Sequence, residues 1–287
     1  MTPLERLLAL LDLEPLEVNL FRGRSPDEDR QRVFGGQVLA QALVAARRTV
    51  EAPRHAHSLH AYFLRAGDPD VPILYQVDRI RDGRSFTTRT VAAIQHGRAI
   101  FNMSASFQIL EAGLEHQTAM PDAPPPEGLP GDPELLERFR ATAPPELAGE
   151  LGWMERDRPI EQRYADPINW WKPEPQAPWQ RVWLRANGPL PDDPDLHQVI
   201  LAYASDMSLL DAATMPHAVT YFDDSMQIAS LDHSMWFHRP FRADEWLLYS
   251  SDSPSASNAR GFCRGSVHDR AGRLVASVTQ EGLLRKR

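Results

Sequence analysis

The first half of the chain carries one helical hydrophobic pattern followed by several strand-like patterns. Apolar residues recur at spacings of three and four, which predicts a helix over residues 38–50. Strands are predicted after it, over residues 58–64, 73–80, 85–94 and 99–109. In the last strand every second residue from 101 to 107 is apolar, as is typical of an antiparallel strand with one buried face.

The second half repeats this order of elements. A helix is predicted over residues 196–213, and strands over 227–238, 246–253, 259–268 and 274–284. Short motifs recur too, such as the Gly-Arg pairs that begin at Gly97 and Gly272. A helix followed by a meander of strands can bury its apolar face in a curved sheet. We therefore expect two such units with their sheets side by side.

Proline and tryptophan separate the two repeats. Residues 121–145 are rich in proline, which disfavours helix in the residue before it, so we predict a linker with at most a short helix over 134–141. A second irregular stretch is predicted over 159–194, where four tryptophans would pack the linker onto the repeats: Trp170, Trp171, Trp179 and Trp183. The predicted domains are an N-terminal repeat at 1–115, a Pro/Trp-rich linker at 116–194 and a C-terminal repeat at 195–287.

Composition narrows the possible functions. The 287 residues carry a net charge of −8, which disfavours a nucleic-acid-binding protein. No stretch approaches the roughly 20 apolar residues that cross a bilayer, and the leucine-rich run at residues 7–11 is read as a helix rather than a signal peptide. The single cysteine, Cys263, favours a reducing, cytoplasmic compartment.

Aligning the repeats at Gly97 and Gly272 isolates one polar residue on an otherwise apolar strand face. The second repeat carries Gln280 at the position where the first carries Ala105. A buried amide needs hydrogen-bond partners. These partners could be nearby backbone groups or a functional site, and the sequence leaves both open.

A carboxylate interrupts the helical pattern of the second half. Asp206 lies at the border of the apolar stripe predicted for residues 196–213, beside Val199 and Leu210 on a helical wheel. Asp206 is either a partly solvated carboxylate at the helix surface or a carboxylate with a specific hydrogen-bond partner.

Several other reactive side chains have ordinary structural interpretations. No Gly-x-Ser-x-Gly motif suggests a nucleophilic serine. Cys263 is expected to pack in a strand and His60 to be a hydrogen-bonded strand residue. His233 and His238 would lie on opposite faces of one strand, so we expect no metal site there.

A basic cluster surrounds the predicted turn at Gly83. It consists of Arg81, Arg84 and Arg89. Such a cluster can bind phosphate or can be a solvated turn.

Longer motifs in both halves resemble acyl-CoA thioesterase II, the TesB type, across nearly the whole chain. The first half contains LFRG at 20–23, VFGGQ at 33–37, YFLR at 62–65 and DGRSF at 82–86. The second contains YASD at 203–206, DHSMWFHRPF at 232–241, EWLLY at 245–249, ARGF at 259–262 and VTQEG at 278–282. The resemblance implies an α+β double hot-dog fold, in which two central helices are each wrapped by a curved antiparallel sheet. This agrees with the internal repeat.

The resemblance also implies an activity and a site. It implies hydrolysis of medium- to long-chain acyl-CoA by a water that an aspartate, a threonine and a glutamine activate. Asp206 matches the family's aspartate and Gln280 its glutamine. Ser230 occupies the position of the family's threonine and still supplies a hydroxyl. Backbone N–H groups near Gly36 are candidate oxyanion donors, and Arg84 is a candidate substrate-binding residue. We expect no metal or organic cofactor.

Two other functions are compatible with the same fold or with the same acyl-CoA ligand. An enoyl-CoA hydratase would carry a Gly-Asp-x-Asn-Pro-x-x-His motif, but the residues after Gly67-Asp68 lack the Asn-Pro and the histidine. A non-enzymatic acyl-CoA-binding protein would need a partner surface, and no basic helix is visible. We expect acyl-CoA as the small-molecule partner, no nucleic acid, and a homodimer or homotetramer. The terminal Arg285-Lys286-Arg287 differs from the peroxisomal Ser-Lys-Leu signal, which also favours a cytoplasmic protein.

Overall fold

A computed structural model of the chain describes residues 1–26, 31–142, 158–166, 170 and 173–287. Trp171 and the prolines at 144 and 145, which the sequence analysis assigned to the linker, lie outside the described residues. Among the described residues, five α-helices pack against one sheet of thirteen strands. No helix in these ranges is both long and apolar enough to span a lipid bilayer.

The elements of the first repeat follow the predicted order. They are α1 (Pro3–Leu11), β1 (Glu14–Glu17), β2 (Leu20–Gly23), α2 (Gly35–Arg47), β3 (Arg54–Phe63), β4 (Ile73–Asp82), β5 (Phe86–Gln95) and β6 (Arg98–Ile109). The helix predicted from the leucine-rich run is confirmed as α1, and Thr2 and Glu5 form a capping box at its start. The hairpin of β1 and β2 was not predicted, because its strands have only four residues each.

The second repeat differs from the prediction at its helix. Its elements are α4 (Pro194–Ser205), α5 (Asp211–Thr214), β9 (Met226–Ser230), β10 (Asp232–Phe237), β11 (Leu247–Ser257), β12 (Arg260–Asp269) and β13 (Leu274–Lys286). One helix over 196–213 is therefore wrong: α4 ends at Ser205, and Asp206 is its C-cap, with φ −87° and ψ 0°. The hydrophobic pattern continues through the break because the turn that follows remains buried around Leu209 and Leu210.

The strand predicted over 227–238 is also divided. It breaks at Leu231, whose N–H donates to the carbonyl of Glu281 and whose carbonyl accepts from the N–H of Phe63. The register with β13 shifts by one residue at this point: β9 pairs with β13 alone, whereas β10 lies between β13 and β3.

The region between the repeats contains more regular structure than predicted. The short helix is confirmed as α3 (Asp132–Thr142). The irregular stretch over 159–194 is wrong in part, because it contains β7 (Ile160–Tyr164) and β8 (Trp179–Ala186). These strands pair with each other, and β8 extends the sheet beyond β11. The division of the chain at residues 115 and 194 stays a prediction.

The sheet has the symmetry of an internal repeat. Its strand order is β1-β2-β4-β5-β6-β3-β10-β13-β12-β11-β8-β7, with β9 beside β13. The halves meet where β3 and β10 pair antiparallel, and Leu59 faces Met235 there. Gly97 and Gly272 occupy equivalent hairpins with φ values of 70° and 79°, which glycine adopts without a Cβ clash. The predicted α+β double hot-dog, with two sheets side by side, is confirmed.

Helices α2 and α4 pack against each other in opposite directions. The start of α2 lies against the end of α4, since a Cβ at Gly36 would be 2.4 Å from the carbonyl oxygen of Tyr203. At the other end, Arg47 of α2 forms an ion pair with Asp195 of α4. This packing brings the N-terminus of α2 to the C-terminus of α4.

Candidate functional site

Asp206 lies where the two central helices meet. Its side chain is only 5% exposed, and it faces the N-terminus of α2 rather than solvent. The backbone N–H of Gly36 donates a hydrogen bond to its carboxylate. An anion at a helix N-terminus is favoured by the unpaired N–H groups and by the helix dipole. Asp206 is therefore bonded specifically and is not an acid of the helix surface.

Ser230 and Gln280 complete a hydrogen-bonded cluster with Asp206. The amide nitrogen of Gln280 donates to Asp206 Oδ1 at 2.7 Å and to Ser230 Oγ at 2.8 Å. The hydroxyl of Ser230 points to Asp206 Oδ1 at the longer distance of 3.5 Å. Ser230 ends β9 and Gln280 lies on β13, directly beside the break at Leu231. The amide predicted to need partners thus bonds side chains, and not nearby backbone.

Two glycines allow the start of α2 to lie close to Asp206 and to the end of α4. A Cβ at Gly35 would stand 2.6 Å from Asp206 Oδ2, closer than real contacts allow. A Cβ at Gly36 would meet the carbonyl oxygen of Tyr203 at 2.4 Å. Gly35 was not singled out from the sequence, although the Gly-Gly pair before a helical pattern was a usable signal for a close backbone approach.

The surroundings of Asp206 tune its acidity. Burial raises the pKa of its carboxyl from 3.8 to about 6, against the lowering effects of Gln280, the Gly36 N–H and Ser230. A carboxylate with this pKa is ionised at neutral pH and still basic enough to accept a proton from water. These are the properties of a general base.

His233 is a buried neighbour that the sequence analysis considered only as a metal ligand. Its Nε2 lies 2.9 Å from Ser205 Oγ, and its Nδ1 lies 3.8 Å from Asp206 Oδ1. Burial lowers the pKa of the imidazole to about 3, so it is neutral in the working range. The described residues contain no group of three or more His, Cys, Asp and Glu side chains arranged to hold a metal ion.

Other candidates lie away from this cluster. Arg84 is exposed in the β4–β5 turn and does not line the cavity at Asp206, so the structure does not bring it to the site. Arg89 is buried against Thr49 and Asp82 and stabilises the hairpin. Cys263 is fully buried, and burial raises the pKa of its thiol to about 12, which makes it a packing residue and not a nucleophile.

His60 has the structural role predicted for it. Its Nδ1 lies 3.1 Å from Ser234 Oγ on the neighbouring strand β10. It does not line the cavity that contains Asp206.

A cavity of about 1890 Å³ passes the cluster. Asp206 and Ser230 are part of its wall, which also includes apolar side chains such as Val38, Phe63, Leu210 and Val219. This volume exceeds that of most small-molecule sites, so a long, largely apolar ligand fits. The arrangement can place a water molecule, held by a carboxylate and a hydroxyl, beside the reactive carbon of such a ligand.

Two family models match the chain. The model described as acyl-CoA thioesterase matches residues 155–283, and the model described as acyl-CoA thioesterase N-terminal domain matches residues 24–108. The first match contains Asp206, Ser230 and Gln280. The second contains the start of α2.

Curated relatives and solved structures agree with the family models. The chain is 44% identical to acyl-coenzyme A thioesterase 8 of Mus musculus over 96% of this chain and 88% of the relative. It is 39% identical to acyl-CoA thioesterase 2 of Haemophilus influenzae, over 98% of both chains. The crystal structure of an acyl-CoA thioesterase II TesB2 from Mycobacterium marinum has 45% identity and a TM-score of 0.78 over 98% of both chains. A hot-dog protein from Alicyclobacillus acidocaldarius, with 22% identity and a TM-score of 0.77, shares the fold.

Proposed function

The chain belongs to the acyl-CoA thioesterase family, and from this premise we propose that Asp206, Ser230 and Gln280 hold the water that hydrolyses the thioester. The activity is the hydrolysis of acyl-CoA to a free acid and coenzyme A. The observation that carries the residue assignment is the hydrogen bond of 2.7 Å between Gln280 and the buried carboxylate of Asp206.

Asp206 acts as the general base in this proposal. Its carboxylate accepts a proton from the water as the water oxygen attacks the thioester carbonyl carbon. The C–S bond then breaks, and the leaving sulfur takes up the proton that Asp206 accepted, so coenzyme A leaves as a thiol and the carboxylate is regenerated. Ser230 orients the water, and Gln280, which is buried behind the cavity wall, holds both Asp206 and Ser230 in place by donating a hydrogen bond to each. General-base catalysis of this kind typically contributes about 10²–10⁴-fold.

The N-terminus of α2 stabilises the oxyanion. The N–H of Gly36 donates to Asp206 in the resting site. When Asp206 gains a proton, it loses its negative charge and accepts the Gly36 hydrogen bond less strongly. The thioester carbonyl oxygen gains negative charge at the same time and becomes the stronger acceptor for this N–H. The helix dipole favours negative charge at this end throughout the step.

Charge around the cavity orients the substrate. Arg24, Arg32 and Arg65 line it and are exposed. The ion pairs between described residues, such as those of Arg22 and Arg48, do not include these three arginines. The phosphates of coenzyme A need cations and solvent, so we place the nucleotide end there. The size of the cavity supports a preference for medium- to long-chain acyl groups.

A hydratase is the alternative that one observation favours. Asp206 and His233 place a carboxylate and an imidazole 3.8 Å apart, as in an acid–base pair. His233 is nevertheless fully buried, does not line the cavity and bonds Ser205 with its other nitrogen. It cannot reach a substrate without breaking this packing, so the hydrolase is the better supported function.

A thiol-release assay tests the proposal. The wild-type protein should release free coenzyme A from saturated acyl-CoA thioesters and should leave the double bond of an enoyl-CoA unhydrated. Binding of acyl-CoA without release of thiol would instead support a binding protein, and hydration of the double bond would support a hydratase.

The assembly and the location of the protein are part of the same proposal. We infer a homodimer or homotetramer in the cytoplasm. Exposed apolar side chains on the sheet, among them Tyr62 and Ile80 at 59% and 58% exposure, support association through this surface. Light scattering at several protein concentrations would show a monomer if this inference is wrong.

A further inference from the structure

Two residues on the buried face of β10 contact the end of α4. His233 and Met235 are both fully buried, and they alternate with less buried residues along the strand. His233 Nε2 lies 2.9 Å from Ser205 Oγ, and Met235 Sδ lies 3.3 Å from the same oxygen. Ser205 is the last residue of α4, and Asp206 is its C-cap. His233 therefore contacts the helix immediately before the proposed base.

The hydrogen bonds of Ser205 assign the hydrogen of the His233 ring. The hydroxyl of Ser205 has one hydrogen, which it donates to the carbonyl oxygen of Ala202 at 2.9 Å. Ser205 Oγ then accepts from His233, so the ring hydrogen is on Nε2. Burial lowers the pKa of the imidazole to about 3, so the ring is neutral in the working range and its other nitrogen, Nδ1, is unprotonated.

The separation of His233 from Asp206 supports this assignment. Nδ1 lies 3.8 Å from Asp206 Oδ1, whereas a hydrogen bond from an N–H to a carboxylate is typically about 2.7–2.9 Å long. Nδ1 is buried and has no hydrogen-bond partner among the described residues. An N–H in this place would bond the nearby carboxylate, but a nitrogen lone pair is repelled by it. The two side chains therefore face each other with their negative ends.

The dipole of the imidazole acts against the hydrogen-bond donors of the site. Gln280, the Gly36 N–H and Ser230 donate to Asp206, and each stabilises the ionised carboxylate. The unprotonated Nδ1 of His233 is the negative end of the ring dipole, so it disfavours the ionised form and favours the protonated one. Electrostatic interactions of this kind are stronger in a buried site than in water. His233 thus offsets part of the effect of the three donors.

The other titratable groups around Asp206 do not provide this effect. Between described residues, no arginine or lysine forms an ion pair with Asp206. Two phenols interact with it from other elements, Tyr249 of β11 and Tyr221 of the loop before β9, and phenols are uncharged below about pH 10. The carboxyl of Asp211, which bonds Tyr221, also titrates near neutrality, because burial raises its pKa to about 7.

We propose that His233 is a positioning residue for the hydrolysis, whose unprotonated Nδ1 faces Asp206 and keeps the carboxylate a stronger base than its three hydrogen-bond donors alone would allow. The donors hold the carboxylate in place, but they also stabilise its charge and so weaken its attraction for the proton of water. The imidazole opposes this without contacting the substrate, since His233 does not line the cavity. The inference rests on the proposed role of Asp206 as the general base.

The test is the pH at which Asp206 titrates in two variants of His233. His233→Gln keeps an amide donor for Ser205 but has no lone pair at the position of Nδ1, and His233→Asn can turn an amide N–H toward the carboxylate. In both variants the inflection of kcat/KM for dodecanoyl-CoA should lie lower than in the wild type, by about 0.5 pH unit or more. The inflection does not depend on the amount of folded protein.

A second measurement does not need activity. The ¹³C NMR signal of the Asp206 carboxyl, identified by its loss in Asp206→Asn, should titrate at a lower pH in both His233 variants than in the wild type. Asp211 is present in all of these proteins, so its titration does not alter the comparison.

Met235→Leu is the matched control. Met235 lies on the same buried strand face and contacts the same serine, so this variant alters the packing at the end of α4 and leaves His233 in place. It should keep the wild-type titration of Asp206. An unchanged titration in both His233 variants would overturn the inference, and so would a shift to higher pH, which would show that Nδ1 donates to the carboxylate. The thioesterase proposal fails separately, if the wild type releases no thiol, and the NMR titration would then still test His233.

Discussion

At the residue scale, the surroundings of Asp206 set the pH at which the site works. The carboxylate is the active form of the base, and its pKa is raised to about 6 by burial. We therefore expect kcat/KM to be about tenfold lower at pH 5 than at pH 7 and to reach a plateau above pH 7. A pH–rate profile without an inflection between pH 5 and pH 7 would contradict the assignment of this group as the base.

The same pKa shift makes a prediction about stability. Since the folded chain holds the Asp206 proton more tightly than the unfolded chain, its contribution to stability is complete below pH about 4 and is lost as pH rises through about 6. Asp206→Asn lacks this titration. The melting temperature of the wild type should therefore fall, relative to that of the variant, between these two pH values.

Ser230 gives a second prediction for a single residue. Its Oγ accepts from Gln280 at 2.8 Å, so Ser230→Ala leaves a buried amide donor without this partner. The loss is roughly 1–3 kcal/mol, or about 10- to 100-fold in rate if it falls on the transition state. Ser230→Thr restores the residue typical of the family and restricts χ1, so its activity should equal or exceed that of the wild type.

Steady-state rates of the two Ser230 variants test whether the Ser230 hydroxyl takes part in hydrolysis. Ser104 is exposed on β6, and Ser104→Ala is the control that should leave the rate unchanged. An alanine variant at position 230 with full activity would remove Ser230 from the site.

The sequence identified some site residues better than others. Asp206 and Gln280 were visible because each interrupts an apolar pattern. Ser230 was identified only through the family resemblance, since a serine at the end of a strand interrupts nothing. His233 was missed as a neighbour of the site, because its position depends on tertiary contacts that no local pattern records. Arg84 was misplaced because a basic turn does not reveal which side of the fold it faces.

At the element scale, the start of α2 is the most constrained part of the site. Gly35→Ala should improve the intrinsic helix propensity. The new Cβ would nevertheless stand 2.6 Å from Asp206 Oδ2 and 3.0 Å from the ring of Phe63. The carboxylate must move, and we expect kcat to fall about 10²-fold, as for other misplacements near 1 Å.

A glycine in open space provides the control for this variant. A Cβ at Gly113 would meet no heavy atom within 4 Å, so Gly113→Ala should keep the wild-type rate. Full activity of Gly35→Ala would show that the contact between α2 and Asp206 is not needed for catalysis.

Element boundaries were predictable where the local pattern and the tertiary structure agree. The strands of the first repeat were placed within a few residues, because one face of each is buried and the other is not. The end of α4 at Ser205 was not predictable, since the cause is a contact between Asp206 and the distant helix α2. The break at Leu231 also involves a distant residue: the register with β13 shifts by one residue there, and the N–H of Glu281 donates to the side chain of Asp232.

At the scale of the whole molecule, the repeat would create two equivalent sites, but the two ends of the α2–α4 pair differ. At the opposite end of the α2–α4 pair, Asp195 is paired with Arg47 and with His55. The cavity beside His55 has a volume of about 70 Å³, against about 1890 Å³ at Asp206. Ala105 stands in the first repeat where Gln280 stands in the second. On the proposed assignment, the second repeat supplies the three catalytic side chains and the first supplies the start of α2.

This division predicts that neither repeat is active alone. Asp206, Ser230 and Gln280 lie in the second half, whereas Gly35 and Gly36 lie in the first. Separately expressed halves should release no thiol, and mixing them should restore activity only if β3 and β10 pair again. A folded second half with full activity would contradict the shared site. Circular dichroism of each half would show whether it is folded.

Thiol release by Asp206→Asn is the most direct test of the account, because asparagine keeps the size of the side chain and removes the base. We expect turnover of acyl-CoA to fall by about 10²-fold or more. The melting temperature at neutral pH should be no lower than that of the wild type, and Asp70→Asn, at an exposed position, should keep full activity. Wild-type turnover by Asp206→Asn would contradict the claim that this carboxylate activates the water.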